Sequence, residues 1–333
     1  MIFCKGESNS VTRVKEALEH FSATTGLVAN IDKSSIFLAG MEDQEKEQLI
    51  RLTGFTQGVF PIRYLGLPLT SKRWSKMECQ ALIDKITERI KTTYARQLSY
   101  AGRLQVIVAV LFSIHSFWGS VFILPQRVVK EVDKKCREHL WGTTRDRKKV
   151  ALIAWDKVCV PKKYGGLNIK GSGNWNVASV GKLIWQLALK EDSLWVKWVH
   201  GVYIRTDINI WNHKAPLDSS WYWRKLNSLK DRMREWYEQG CYNLTAKGTY
   251  SISRSYMALA GDQMKCDVAE LVWNRVSPPK HRFIMWLAVH QRLLTKGRLA
   301  HMNIFVEDMS CCLCDTHDVE LANICSRIAS GSN

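Results

Sequence analysis

The chain has 333 residues with 46% hydrophobic content, enough for two or three modest cores and too apolar for a disordered composition. Its 48 Lys and Arg against 31 Asp and Glu leave a net charge of +17, which favours a polyanionic partner, nucleic acid or an anionic membrane surface. Ten cysteines, scattered singly except near the C-terminus, exclude the dense framework of a small secreted disulfide scaffold and point to a reducing, intracellular compartment.

The opening Met1-Ile2-Phe3-Cys4-Lys5-Gly6 lacks the basic flank and long apolar run of a signal peptide, so Asn243-Leu244-Thr245 reads as an unused sequon. Val11, Val14, Ala17, Leu18 and Phe21 recur at helical spacing, and Gly26 follows as a stop. Leu27–Ile31 and Ser35–Leu38 read as strands around the polar turn Asp32-Lys33-Ser34. A helix follows from Glu42 to about Leu52, then an extended stretch over Phe60–Leu69 punctuated by Gly66 and Pro68.

From Ser75 the texture becomes helical. Ser75-Lys76-Met77-Glu78 has the form of a capping box, with Leu82, Ile83, Ile86 and Ile90 as the apolar face behind it. A helix from about Ser99 to Trp118 is apolar nearly all round and predicts burial between neighbours. The run Leu104–Leu124 approaches membrane-spanning length, but Gln105, Ser113, His115, Ser116, Gly119 and Ser120 interrupt it, and a buried helix is the expectation. A third helix spans Gln126–Trp141.

Arg145, Arg147, Lys148 and Lys149, then Lys157, Lys162 and Lys163, concentrate charge across a linker that ends in Gly165-Gly166. Such a run is either a phosphate-contacting patch or a solvated loop. Residues 174–240 hold eight tryptophans, read mainly as the core of a helical connector, with base stacking as the other use of such rings. The last block carries Val272-Trp273, a Pro278-Pro279 break and a helix with Phe283, Trp286, Leu287 and Leu293-Leu294, basic through Lys280, His281, Arg282, Arg292, Lys296 and Arg298.

Little local chemistry stands out. Gly171-Ser172-Gly173 lacks the third glycine and the Lys-Ser/Thr of a P-loop and reads as a loop. No nucleophile sits in a local signature, no Asp pair fits two-metal phosphoryl transfer, and no small-molecule substrate suggests itself. Cys311 and Cys314, with His317 and Cys325 nearby, are the candidate metal ligands, all of types that hold zinc, although their spacing is not a common finger pattern.

Read in order, several segments resemble the reverse transcriptase of plant-type non-LTR (LINE) retrotransposons, from just after its catalytic motif into its C-terminal zinc-binding module. They are Met1–Gly6, Thr25-Gly26-Leu27 with Asn30 and Lys33-Ser34, Phe60–Pro68, and Leu98-Ser99-Tyr100-Ala101-Gly102-Arg103. Further on come Ala154-Trp155 with Val158-Cys159 and Pro161-Lys162, Gly165-Gly166-Leu167, Ser219-Ser220-Trp221, Pro278-Pro279-Lys280-His281 and Cys311-x2-Cys314. The resemblance covers roughly residues 1–314 and rests on the order of the segments.

It implies a mainly α chain with a small α+β palm remnant at 1–72, a helical thumb at 73–145 and a Trp-rich basic connector at 146–248. A reverse-transcriptase zinc-binding-like module at 249–320 and a divergent tail at 321–333 complete it. Lys33 would match a lysine that assists pyrophosphate departure as a general acid, or be an ordinary turn residue. Tyr64, Leu65 and Gly66 would match the primer grip, Arg103 belongs to the thumb, and RNA and DNA template–primer would be the partners. In the family a paired-aspartate motif directly precedes the segment matching Met1, and its carboxylates hold Mg²⁺; without them this chain is expected to bind nucleic acid and not to polymerise alone. A retroelement-derived nucleic-acid-binding protein and a non-functional pseudogene product are the alternatives. The family's habit of copying at a chromosomal nick favours the nucleus, and no membrane association is expected.

Overall fold

The computed structural model describes residues 1–59, 61–69, 77–92, 98–142, 151–205, 209–238, 245–246 and 249–310. The chain is mainly helical and divides into two compact units, Met1–Lys72 and Arg73–Asn333.

In the first unit α1 (Ser8–Thr25) ends where Gly26 turns left-handed at φ 72° and its N–H closes on the Ser22 carbonyl, a conformation that glycine takes without steric cost. The turn Ile31–Lys33 is a short 3-10 helix capped by the Asn30 side chain, which accepts from the Lys33 N–H at 3.0 Å. Helix α2 (Asp43–Thr53) begins with a capping box between Glu42 and Glu45. β1 (Ser35–Ile36) pairs in parallel with β2 (Thr56–Gln57), and Gly58 lies beneath Phe37 where an added Cβ would sit 2.3 Å from the ring. β3 (Ile62–Tyr64) and β4 (Leu67–Leu69) form a two-residue hairpin whose turn, Leu65 at φ 50° and Gly66 at φ 80°, has the paired positive φ of a type I′ connection. The expected strand over Leu27–Ile31 does not form. Leu27 and Val28 stand exposed, and an apolar run without a neighbouring strand has no ladder to complete.

In the second unit α3 (Gln80–Thr92) buries Leu82, Ile83 and Ile86. The long apolar helix runs as α4 (Tyr100–Val106), a π turn (Ile107–Leu111) and α5 (Phe112–Val121), started by Ser99, whose side chain accepts from the Gly102 N–H. By length and composition Tyr100–Val121 could cross a membrane; here Ile107, Leu111, His115, Trp118 and Gly119 are buried inside the unit. α6 (Gln126–Trp141) and the short α7 (Trp155–Val158) lead to α8 (Ser172–Ala188), which packs against α5, α6, α10 and α12. Ser172 therefore begins a helix, where the sequence reads as a loop.

Small residues let α8 approach its neighbours closely. At Gly181 an added Cβ would lie 2.7 Å from the Tyr250 hydroxyl and 2.8 Å from Met233. Asn176, buried, closes the end of α5: its amide donates to the Gly119 and Phe122 carbonyls, each at 2.7 Å, and its carbonyl accepts from the Leu124 N–H at 2.9 Å. Groups left open at a helix C-terminus are thus satisfied inside the core. α9 (Leu194–Val199), a π turn (His200–Ile204), α10 (Trp221–Leu229) and α11 (Asp231–Glu238) wrap the far half of α8, and Trp185, Trp211 and Trp223 belong to that core. A β5–β6 hairpin (Thr245–Ala246, Thr249–Tyr250) precedes α12 (Ile252–Ala260), α13 (Ala269–Val272), α14 (Pro279–Val289) and α15 (Lys296–His301).

Candidate nucleic-acid interface

The stretch Val158–Asn168 folds back on itself. The Leu167 N–H donates to the Val158 carbonyl and the Asn168 N–H to the Val160 carbonyl, both at 3.0 Å, while Gly165 turns left-handed at φ 89°. At Gly166 an added Cβ would fall 1.9 Å from the Val160 carbonyl oxygen, so this closure requires glycine. The tip is the 3-10 turn Lys162–Tyr164, which presents Lys162 and Lys163.

Two elements of the last block hold the turn from behind. The Gly165 carbonyl accepts from Trp286 Nε1 at 2.7 Å and lies 2.9 Å from His290 Nε2, and the Cys266 N–H donates to the Lys163 carbonyl at 3.1 Å. Trp286 and His290 are four residues apart on α14, hence on one face. In front, Lys162 Nζ sits 4.6 Å from the centre of the Trp273 ring, and Lys163 Nζ 4.5 Å from that of Tyr164.

The start of α14 adds to the same charge. Pro278 offers no side-chain cap, the first turn holds no acid, and the N–H groups of Lys280 and His281 find no acceptor among the described residues. Arg282 follows, its charge felt at Lys162: desolvation by burial chiefly, and then this guanidinium, lower the Lys162 pKa. Among the described residues none of Lys162, Lys163, Lys280 and Arg282 has a carboxylate within ion-pairing distance. Cations in the first turn of a helix oppose its dipole. Open N–H groups, positive side chains and flanking aromatic faces together suit an anion.

Below this surface Phe283 stacks on Tyr100 with ring centres 5.3 Å apart, and Trp141 meets both rings edge-on. The Arg103 guanidinium lies 5.8 Å from the Tyr100 centre. The segments Leu98–Arg103, Pro161–Leu167 and Pro278–Arg282, far apart in sequence, therefore share one aromatic and basic neighbourhood. The partnership of Trp286, His290 and Trp273 with the 158–168 turn carries no sequence signal beyond the i, i+4 placement of two ring donors.

The remaining expected site residues are placed separately. Lys33 closes the 3-10 turn in the first unit, and Tyr64, Leu65 and Gly66 form the hairpin tip, with Tyr64 and Leu65 exposed. Arg145, Arg147, Lys148 and Lys149 lie outside the described residues, as do Cys311, Cys314, His317 and Cys325. Among the described residues no three His, Cys, Asp or Glu side chains come together to hold a metal ion. The donor chemistry of Cys311, Cys314, His317 and Cys325 suits zinc, and no geometry is assigned to it.

Residues 250–325 match the family described as zinc-binding in reverse transcriptase. That stretch contains the Trp273, Trp286 and His290 contacts and α14. A ribonuclease H protein of Arabidopsis thaliana is 36% identical to the chain over 129 residues, 39% of this chain and 21% of the relative, so the chain spans about a fifth of the relative's length. The two findings support a retroelement origin.

Proposed function

We propose that this chain is the post-catalytic part of a LINE-type RNA-directed DNA polymerase and serves to hold RNA or DNA, not to carry out the chemical step. The observation that supports this reading most directly is the cluster of Lys162, Lys163, Lys280 and Arg282, unpaired with acids among the described residues and set beside Trp273 and the open end of α14. A polyanion neutralises such a cluster and releases counterions, so its affinity falls steeply with salt. The aromatic layer under the cluster fixes the cations in one place, which a solvated lysine run does not do. Lys33 and the Tyr64–Gly66 turn are assigned to the same family's palm, as a proton donor and a primer contact, and the candidate cysteines to its zinc module. In an intact family member the catalytic carboxylates would supply Mg²⁺; no step is assigned to this chain alone.

The test is fluorescence anisotropy of the full chain with a labelled 20-nucleotide single strand and an RNA–DNA duplex over a salt series. The expected result is a linear fall of log affinity with log salt that becomes shallower by about 2 in Lys162→Ala/Arg282→Ala, since each phosphate contact contributes about 0.9 to the slope. Binding that ignores salt, or a slope unchanged in the double variant, would remove the cluster from the interface. Primer extension by the unmodified chain would overturn the assignment of a non-catalytic role.

A further inference from the structure

A second feature lies away from the basic cluster. Where the start of α8 meets the π turn and α6, the core leaves a cavity of about 100 Å³, walled by Val108, Phe112 and Trp155 and closed at its inner end by polar groups. His115 and Ser172 are buried there. The Ser172 hydroxyl donates to Asp133 Oδ1 at 2.7 Å, the Ser172 N–H reaches the same oxygen at 3.3 Å, and His115 Nε2 stands 3.4 Å from the hydroxyl. The other ring nitrogen, Nδ1, lies 3.1 Å from the Leu111 carbonyl, which requires it to carry the proton. At the mouth Lys170 Nζ donates to Asn168 Oδ1 at 3.3 Å, 5.1 Å from the centre of the Tyr256 ring, and has no carboxylate within ion-pairing distance among the described residues.

The geometry points to a pocket for a single unstacked pyrimidine base of a bound strand, with the ring between Phe112 and Trp155 and its phosphate outside near Lys170. Three considerations select this ligand. Sealed apolar cavities of about 150 Å³ take up benzene; an open one of about 100 Å³ has room for one six-membered ring and not for the fused rings of a purine. The Asp133 carboxylate in the lining repels an anion, so the part that enters is neutral and the charge stays at the lysine. A thymine or uracil edge carries one N–H between two carbonyls, and the pocket offers a carboxylate acceptor with hydroxyl, amide and ammonium donors around it. Stacking on aromatic side chains is worth about 1–3 kcal/mol per base, which supplies the driving force.

The inference rests on the nucleic-acid-binding reading, and the experiment separates the two. Anisotropy is measured for the full chain with three 12-nucleotide strands of equal charge: oligothymidylate, oligodeoxyadenylate and a fully abasic strand. The expected order is thymidylate tighter than the other two by about tenfold. Val108→Phe, at a partly exposed position on the wall, is expected to bring thymidylate down to the level of the abasic strand while abasic binding stays unchanged. Val108→Met repeats the test with less bulk, and the thermal melt of each variant reports its folding. Salt-dependent binding without a thymidylate preference, or a preference that survives both substitutions, overturns the pocket and leaves the basic interface standing. Failure of all three strands to bind overturns both.

Discussion

The two units differ most in charge. In residues 1–72 eight Lys and Arg balance eight Asp and Glu, so the whole net charge of +17 falls on residues 73–333. The exposed ion pairs of the first unit follow suit: Lys5 with Glu7, Arg13 with Glu16, Lys46 with Asp43 and Arg51 with Glu47 pair within single turns of chain. The four cations of the 158–168 turn and α14 have no such partners among the described residues. A neutral, internally paired surface has little attraction for a phosphate backbone beyond direct contacts, whereas an unpaired basic one attracts it at a distance. The units also differ inside: α1 buries Val11 alone, while α8 buries ten residues.

The largest expected effect concerns that interior. Asn176→Ala removes three hydrogen bonds at once and leaves two carbonyls and one N–H without partners in the core. Each buried orphan costs about 1–3 kcal/mol, so the second unit is expected to lose about 3–5 kcal/mol. Urea unfolding of the full chain, followed by tryptophan fluorescence, measures it. A loss below 1 kcal/mol would mean that α5 is held by its apolar face alone.

Acid should act on the same unit. Burial lowers the His115 pKa to about 4, and burial, helped by the Arg103 charge, does the same for His139. In the unfolded chain these rings take up a proton near 6.5, while in the folded protein they stay neutral down to about 4. Stability is therefore full above pH 6.5, falls as pH drops towards 4, and levels off below. One such ring contributes about 3 kcal/mol to that fall. Asp133 works in the opposite sense: burial raises its pKa against the lowering effect of the Ser172 bonds, so its contribution grows as pH falls and offsets part of the loss. His139 makes no hydrogen bond through either ring nitrogen. His139→Leu should flatten the unfolding midpoint against pH and raise it at pH 7 by about 1 kcal/mol. A steeper acid loss in this variant would contradict the burial argument.

Next in size is the charge itself. Lys162→Ala/Arg282→Ala should weaken binding of a 20-nucleotide strand by about 10–100-fold at 0.1 M salt with little change in melting temperature. Lys33→Ala, in the neutral unit, should leave that affinity within about twofold, since one exposed charge among balanced neighbours adds little. Equal losses in both would mean that the division of charge between the units does not decide where the strand lies.

Much of the helical architecture can be read from the sequence because its signals are local. The Glu42/Glu45 box, the glycine stop at Gly26, the Ser99 cap and the apolar spacing of α6 each act within one or two turns of chain. The two short parallel strands and the empty ladder beside Leu27 cannot be read this way, since pairing depends on a partner elsewhere. The site shows the same division. Lys162, Lys163, Lys280 and Arg282 stand out by charge and segment, but their meeting depends on a carbonyl at Gly165 reached by Trp286 and His290 from about 120 residues away in the chain. The cavity at His115 is less visible still: Asp133, Ser172 and His115 have no shared motif, and only packing brings them together.

The smallest effect tests the comparison from the neutral side. Gly66 turns at φ 80° with nothing within 4 Å of an added Cβ, so Gly66→Ala meets strain and no clash. Holding an L-residue in the left-handed region costs about 1–2 kcal/mol, and the first unit should lose about 1 kcal/mol. Hydrogen exchange of the Ile62–Leu69 amides would detect this as faster opening of the hairpin. If the basic unit governs binding, affinity for single strands stays unchanged in this variant. If the Tyr64–Gly66 turn grips a primer end, affinity for a recessed template–primer falls while single-strand affinity holds, and the neutral unit then contributes by shape where the other contributes by charge.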